Sequence, residues 1–173
     1  MKNPEYVGRH QLRTIRGRLF FLLCAAVVFA VDQISKYAVV SHMVIYETIP
    51  VIGGFFHLTY IINYGASFGM LQHQAGLFIG LSILVLLFIC WTVFFWTGID
   101  RTTRILLGVV AGGALGNLVD RLRYGSVVDF LDFQGIWSYI FNAADMAVVC
   151  GGLILAYMII MGGGAREKRK PKH

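Results

Sequence analysis

The chain has 173 residues, 57% of them hydrophobic and only 14% charged, with a mean hydropathy of +0.69. A soluble domain carries roughly 25% charged residues, so this composition excludes one and fits a single integral-membrane unit, 1–173. The net charge of +6 does not mark a nucleic-acid binder: five of the 15 Lys and Arg precede the first apolar run, two lie at Arg101 and Arg104, and five close the C-terminal tail. With four spans these groups share one side, where they act as topology signals and lipid-headgroup contacts.

Residues 1–18 are polar and basic and are expected to form a cytoplasmic tail with little fixed structure. Leu19 to Val31 is uninterrupted apolar sequence, followed by Asp32-Gln33-Ile34-Ser35-Lys36 and a further apolar stretch to Val40. A basic start with a short apolar core also fits a secretory signal, with Val28-Phe29-Ala30 a tolerable cleavage site. The resumption of apolar residues after Lys36 favours a span over roughly 19–40, since about 20 residues are needed to cross. Asp32 and Lys36 form an acid-first i, i+4 pair. Charges inside a span cost about 2.5–3.5 kcal/mol each. The pair is either mutual neutralisation, with Lys36 snorkelling to the headgroups, or a support for an adjacent active site. The two readings are compatible.

Residues 41–76 do not read as helix. Pro50 and Gly53-Gly54 punctuate two β-prone runs, Val44 to Ile52 and Phe55 to Ile62. A small extracytoplasmic sheet lying on the membrane is predicted between the first two spans. Asn63-Tyr64-Gly65-Ala66-Ser67-Phe68-Gly69 follows, either an ordinary turn or a substrate clamp in which Asn63 offers donor and acceptor. His57 and His73 are isolated, and neither is read as a ligand.

Leu77 to Trp96 is a second span, Ile105 to about Arg121 a third, and Tyr139 to Met161 a fourth. Residues 122–138 form an outer connection, and 162–173 a basic cytoplasmic tail. Cys24, Cys90 and Cys150 sit inside apolar runs, odd in number and without C-x-x-C spacing. They read as small buried hydrophobes, with no disulfide or zinc site.

The third span carries the densest pattern. Gly108, Gly112 and Gly116 recur every four residues as a stripe for close helix approach. Asp120 continues the spacing and is expected to face a helix partner. Counting spans puts Asp32, Asp120 and Asp145 at one depth, near the outer interface, among six of the nine acids on that side. If Asp120 and Asp145 approach to about 4 Å, their repulsion of ~4 kcal/mol at an effective dielectric near 20 favours one shared proton. The ionised partner can then activate water while the protonated one polarises a carbonyl. Asn117, Arg121 and Asn142 are placed to orient the acids. Arg121 is expected to point away from the pair or to hold backbone carbonyls, because close approach would oppose proton sharing. The competing reading is that Asp120–Arg121 and Asn142–Asp145 only cap helices or join them by hydrogen bonds.

These motifs resemble those of the lipoprotein signal peptidases (signal peptidase II), aspartic proteases of the bacterial cytoplasmic membrane. The resemblance is carried by Asp32 to Lys36, Asn63 to Phe68, Gly112 to Arg121, Val127-Val128-Asp129-Phe130 and Phe141-Asn142-Ala143-Ala144-Asp145, in order across roughly residues 19–161. It implies that Asp120 and Asp145 are catalytic. Asp32, Lys36, Asn63, Gly65, Asn117, Arg121, Asp129 and Asn142 are then supporting or substrate-contacting residues. It also implies diacylated prolipoprotein substrates cut on the amino side of the lipidated Cys, inhibition by globomycin, and outer loops forming a cradle and cover. No metal or cofactor is implied, and a monomer among membrane lipids is expected. Two other classes remain open. A proton-coupled transporter should show inverted repeats or glycine-broken helices, and a non-catalytic assembly protein should tolerate Asp→Asn.

Overall fold

The computed structural model describes residues 4–65, 74–96 and 98–167, with side chains placed for 14–65, 74–96 and 98–161. Ala66 to Gly69 of the Asn63 motif, and His73, lie outside the described residues. Four helices, α1 (Pro4–His42), α2 (Ala75–Phe95), α3 (Arg101–Tyr124) and α4 (Ala143–Glu167), are each long and apolar enough to cross a membrane. The strands are β1 (Thr48–Ile52), β2 (Phe56–Asn63), β3 (Val127–Phe133) and β4 (Ile140–Phe141), and they form one antiparallel sheet in the order β1-β2-β3-β4.

Helix α3 is the centre of the bundle. Half of its apolar window is buried, against 11% for each of the other three, whose outward faces carry residues such as Leu84, Phe88 and Leu153. Such faces suit lipid, which needs no polar partner. Phe21, Ile89, Val93, Val110 and Ala111 form the core shared by α1, α2 and α3. At the far end of α1, Val39 and Met43 pack under the sheet on Tyr60 and Phe130.

The glycine stripe does what its spacing predicts. A Cβ on Gly112 would stand 2.5 Å from the Ala25 carbonyl oxygen and 2.8 Å from Val28 Cβ, so α1 and α3 touch backbone to backbone there. Gly112→Ala is therefore expected to destabilise by ~1–3 kcal/mol through overpacking. Gly152→Ala, with nothing within 4 Å of the added carbon, is expected to be neutral or to gain up to about 1 kcal/mol of helix propensity. Thermal unfolding of the two variants in detergent checks the contrast, and equal midpoints would deny the close approach.

Several boundaries differ from the sequence expectation. Residues 4–18, expected as tail, are the first turns of α1, and α4 continues through three glycines to Glu167. The fourth span begins at Ala143, because Ile140–Phe141 pairs with Leu131 and Asp132 of β3. The sheet is not confined to the segment between α1 and α2: β3 and β4 come from the α3–α4 connection and double its size. Helix α3 runs one turn past Asp120 and ends at Gly125, whose φ of +68° is the left-handed cap glycine accommodates. Its start is fixed by Asp100, which accepts from Thr103 N at 3.0 Å. Cys90 and Cys150 face outward rather than into the core, and Cys24 is half-buried.

Candidate active site

At the sheet end of the bundle, α1, α3 and the first turn of α4 meet over a polar layer. Lys36 is 4% exposed and points inward, so it does not snorkel. Its Nζ donates to Asp32 Oδ2 at 2.8 Å and Asn117 Oδ1 at 3.0 Å, and lies 2.7 Å from Asp120 Oδ2. The last contact pairs the charges without the alignment of a hydrogen bond. Asp32 is fully buried, and its Oδ1 accepts from the Ala144 N–H at 2.9 Å. That N–H is one of the donors left unsatisfied at the start of α4. Gln33 Nε2 donates to Asp120 Oδ1 at 3.0 Å and to Asp32 Oδ2 at 3.2 Å. Gly116 leaves room for this cluster, since a Cβ there would collide with the Asp32 carboxylate. Asp120 thus faces α1, as its spacing predicts, and is held by a cation and an amide.

A second layer lies beside the first. Asn142 and Asp145 form a reciprocal cap on α4: Asp145 N donates to Asn142 Oδ1 at 2.8 Å, and Asn142 N donates to Asp145 Oδ2 at 3.2 Å. The remaining carboxylate oxygen, Asp145 Oδ1, accepts from Asn117 Nδ2 at 2.7 Å. Asn142 Nδ2, itself fully buried, donates to Asn117 Oδ1 at 3.1 Å and to Asp129 Oδ1 at 2.7 Å. Asp129 arrives through the sheet. Gly125 reverses the chain after α3, β3 pairs with β2 so that Asn63 stands opposite Val127, and Asn63 Nδ2 donates to Asp129 Oδ2 at 2.8 Å. Asn63 Oδ1 in turn accepts from Gly65 N at 2.9 Å, fixing the turn that leaves β2.

These residues surround a cavity of about 200 Å³ lined by Asn63, Gly65, Phe78, Arg121, Val127, Asp129 and Asp145. Asp120 is not among its lining residues. Of the ten site residues expected from sequence, the cavity therefore gathers Asn63, Gly65, Arg121, Asp129 and Asp145. Asp32, Lys36 and Asp120 lie in the ion-paired layer, while Asn117 and Asn142 bridge the two. Arg121 Nη1 reaches the Asn117 carbonyl at 3.4 Å, a carbonyl contact as expected, but the guanidinium does not point away. It lines the cavity with its carbon 5.1 Å above the Phe78 ring.

Burial raises the Asp129 carboxyl to about 7, and the Asp145 charge adds to the rise. The Asn63 and Asn142 amides and the Lys36 charge act in the opposite direction. The two acids that line one cavity are thus also coupled electrostatically. Among the described residues no three His, Cys, Asp or Glu side chains converge to hold a metal ion.

Three contributors are not among the site residues expected from sequence. Gln33 was detectable, since an amide inside a span wants a partner. Phe78 is one of several aromatics in α2 and carried no signal. Val127 faces inward beside Asp129 only because of where β3 begins.

The match to known proteins extends over most of the chain. Residues 24–161 fit the family model described as Signal peptidase (SPase) II. The lipoprotein signal peptidase of Moorella thermoacetica is 45% identical over 151 residues, covering 87% of this chain and 99% of that protein. Its counterpart in Clostridioides difficile is 38% identical over 142 residues, covering 82% and 95%. A bacterial membrane enzyme solved by the in meso method at 2.3 Å superposes with a TM-score of 0.78 at 28% identity, covering 88% of this chain and 93% of that one. With its motifs in order, four membrane-length helices and a carboxylate-lined cavity, the chain belongs to the signal peptidase II family.

Proposed function

We propose that this protein removes signal peptides from diacylglyceryl-modified prolipoproteins, cutting on the amino side of the lipidated Cys, with Asp129 and Asp145 as the catalytic pair. The observation that carries the reading is that these two acids, bridged by Asn142, line the same small cavity. This revises the pairing expected from sequence. Asp120 is neutralised by Lys36 and held by Gln33 outside the cavity lining, so it supports the site from behind.

In this mechanism the pair shares one proton, and Asp129, whose carboxyl is raised to about 7, carries it into the reaction. Asp145, which accepts a donor on each oxygen, is the base. It takes a proton from water as the water oxygen attacks the scissile carbonyl carbon, while Asp129 gives its proton to the carbonyl oxygen. On collapse, Asp145 returns a proton to the leaving amine and the diol returns one to Asp129. The C–N bond breaks, and both acids regain their starting states. Arg121, facing the same cavity, stabilises the charge that develops on oxygen.

The topology follows from charge. Arg16, Arg18, Arg101 and Arg104 lie at the end away from the sheet, and the acid-rich layer lies beneath it. Both termini are therefore cytoplasmic and the cavity is near the extracytoplasmic face of the bacterial membrane. A lipidated substrate reaches that depth by lateral diffusion.

The test is cleavage of a diacylated precursor followed by gel shift from pH 5 to 9, with and without globomycin. The diacylated form is expected to be cut and the unmodified form left intact, with globomycin blocking the reaction. Because the Asp129 value is raised to about 7, the required proton is present below that value and lost above it. Turnover should therefore fall about tenfold per pH unit on the alkaline side. Equal cutting of the unmodified precursor would overturn the substrate, and a flat profile to pH 9 would overturn the shared proton.

A further inference from the structure

A larger cavity, about 950 Å³, lies at the opposite end of the bundle between the N-terminal half of α1 and the start of α3. The peptidase reading makes no use of it. Leu19, Phe20 and Leu23 form an apolar wall, and Arg16, Arg101 and Arg104 form a basic one. Leu19 and Leu23 are largely exposed, so the apolar wall opens toward the surroundings of the bundle. The one acid in the lining, Asp100, is already engaged: its two oxygens accept from Thr103 N and Oγ1 at 3.0 and 2.6 Å.

The basic wall is incomplete as it stands. Arg104 is 3% exposed and lines the cavity, and its Nη1 donates to the Thr14 carbonyl at 2.9 Å. Its Nε is buried without a hydrogen-bond partner. The neighbouring Arg18 spends its Nη2 on the Phe94 carbonyl at 2.6 Å, and its Nε is likewise unpartnered. Arg101 is held with its guanidinium 4.0 Å above the Phe20 ring, which orients it without using its donors. Buried guanidinium donors lacking acceptors are costly, and their planar fork matches the oxygens of a phosphate.

The geometry points to a phospholipid site: an anionic glycerophospholipid of the cytoplasmic leaflet sets its phosphate among Arg16, Arg101 and Arg104 and lays its first acyl carbons along Leu19, Phe20 and Leu23. The apolar wall distinguishes this occupant from free phosphate, which would leave that wall empty. The excess of Arg over acid distinguishes it from a zwitterionic lipid, whose own cation three cationic side chains would repel. A site of this kind clamps α1 to α3 at the end remote from the cavity lined by Asp129 and Asp145.

The experiment uses the full-length protein in neutral detergent. Retention of phosphatidylglycerol and of phosphatidylcholine at matched concentration is read by native mass spectrometry, with inorganic phosphate as competitor. Wild type is expected to retain phosphatidylglycerol about tenfold better than phosphatidylcholine. The double variant Arg16→Gln/Arg101→Gln is expected to lose that preference while keeping its basal peptidase activity. Both residues are exposed, so the core is untouched by the change. Should the double variant not fold, the wild-type lipid preference and its resistance to inorganic phosphate still decide the matter. Equal retention of the two lipids, a preference surviving in the variant, or inorganic phosphate competing as well as the lipid would each overturn the proposal.

Discussion

Asp129→Asn and Asp145→Asn are each expected to leave diacylated prolipoprotein uncut, with turnover down by at least about 10³-fold, in a protein that still folds and still binds globomycin. On the proposed mechanism each substitution removes one of the two proton carriers and preserves shape. At Asp129 the change also has a stability signature with a definite sign. An acid whose folded-state value is raised from 3.8 to about 7 stabilises the fold fully below pH 4, and that contribution is lost as pH rises through 7. The rise corresponds to about 4 kcal/mol as an upper bound. Replacing Asp129 with Asn abolishes the penalty of a buried charge. It also leaves one of the two incoming amide donors, from Asn63 and Asn142, without an acceptor, at about 1–3 kcal/mol. The melting temperature of Asp129→Asn relative to wild type should therefore rise between pH 5 and pH 8.

Asp120→Asn should behave differently. It removes one of the two carboxylates paired with Lys36 Nζ, which weakens the buried ion-paired layer. Its activity loss should travel with a lower melting temperature, and the residual activity should keep the alkaline fall near pH 7. Full turnover in Asp129→Asn, together with a dead but fully stable Asp120→Asn, would return the catalytic role to Asp120.

The reassignment proposed for Asp120 has a physical origin in one boundary. Ending the third helix at about Arg121 puts the Asp120 carboxylate at the membrane edge, opposite Asp145. The helix in fact runs to Tyr124 and stops at Gly125, which carries the acid one turn deeper, against Lys36. Gly125 was a legible C-cap signal, and Val127-Val128-Asp129-Phe130 a legible run of strand formers. What could not be read is that β3 pairs with β2, more than sixty residues earlier, since a short apolar run does not name its partner. That pairing decides which acid reaches the cavity. By contrast, the four spans and the glycine stripe rest on composition and local spacing, which a single sequence carries in full. Asn63 illustrates the limit: its amide chemistry was visible, but not that its side chain would donate to Asp129 on the neighbouring strand.

Lys36→Met is expected to be the most damaging single substitution in the protein. The side chain is apolar and similar in length, so packing is largely kept while the charge is lost. Asp32 and Asp120 would then remain buried with no cation, joined only by Gln33. Breaking a buried pair from one side costs about 3–5 kcal/mol, and here two acids lose the same partner. The damage should extend to the cavity, because Lys36 also donates to Asn117 Oδ1, and Asn117 Nδ2 holds Asp145. Thermal inactivation in detergent should accelerate sharply, with activity lost below the temperature at which wild type is intact. Replacing all three partners together, as Asp32→Asn/Lys36→Met/Asp120→Asn, should recover much of the stability, because it removes the stranded charges along with the cation, but it should recover little turnover. If Lys36→Met alone melts within about 2 °C of wild type, the ammonium is not what holds the layer behind Asp145, and the assignment of Asp120 to that layer loses its footing.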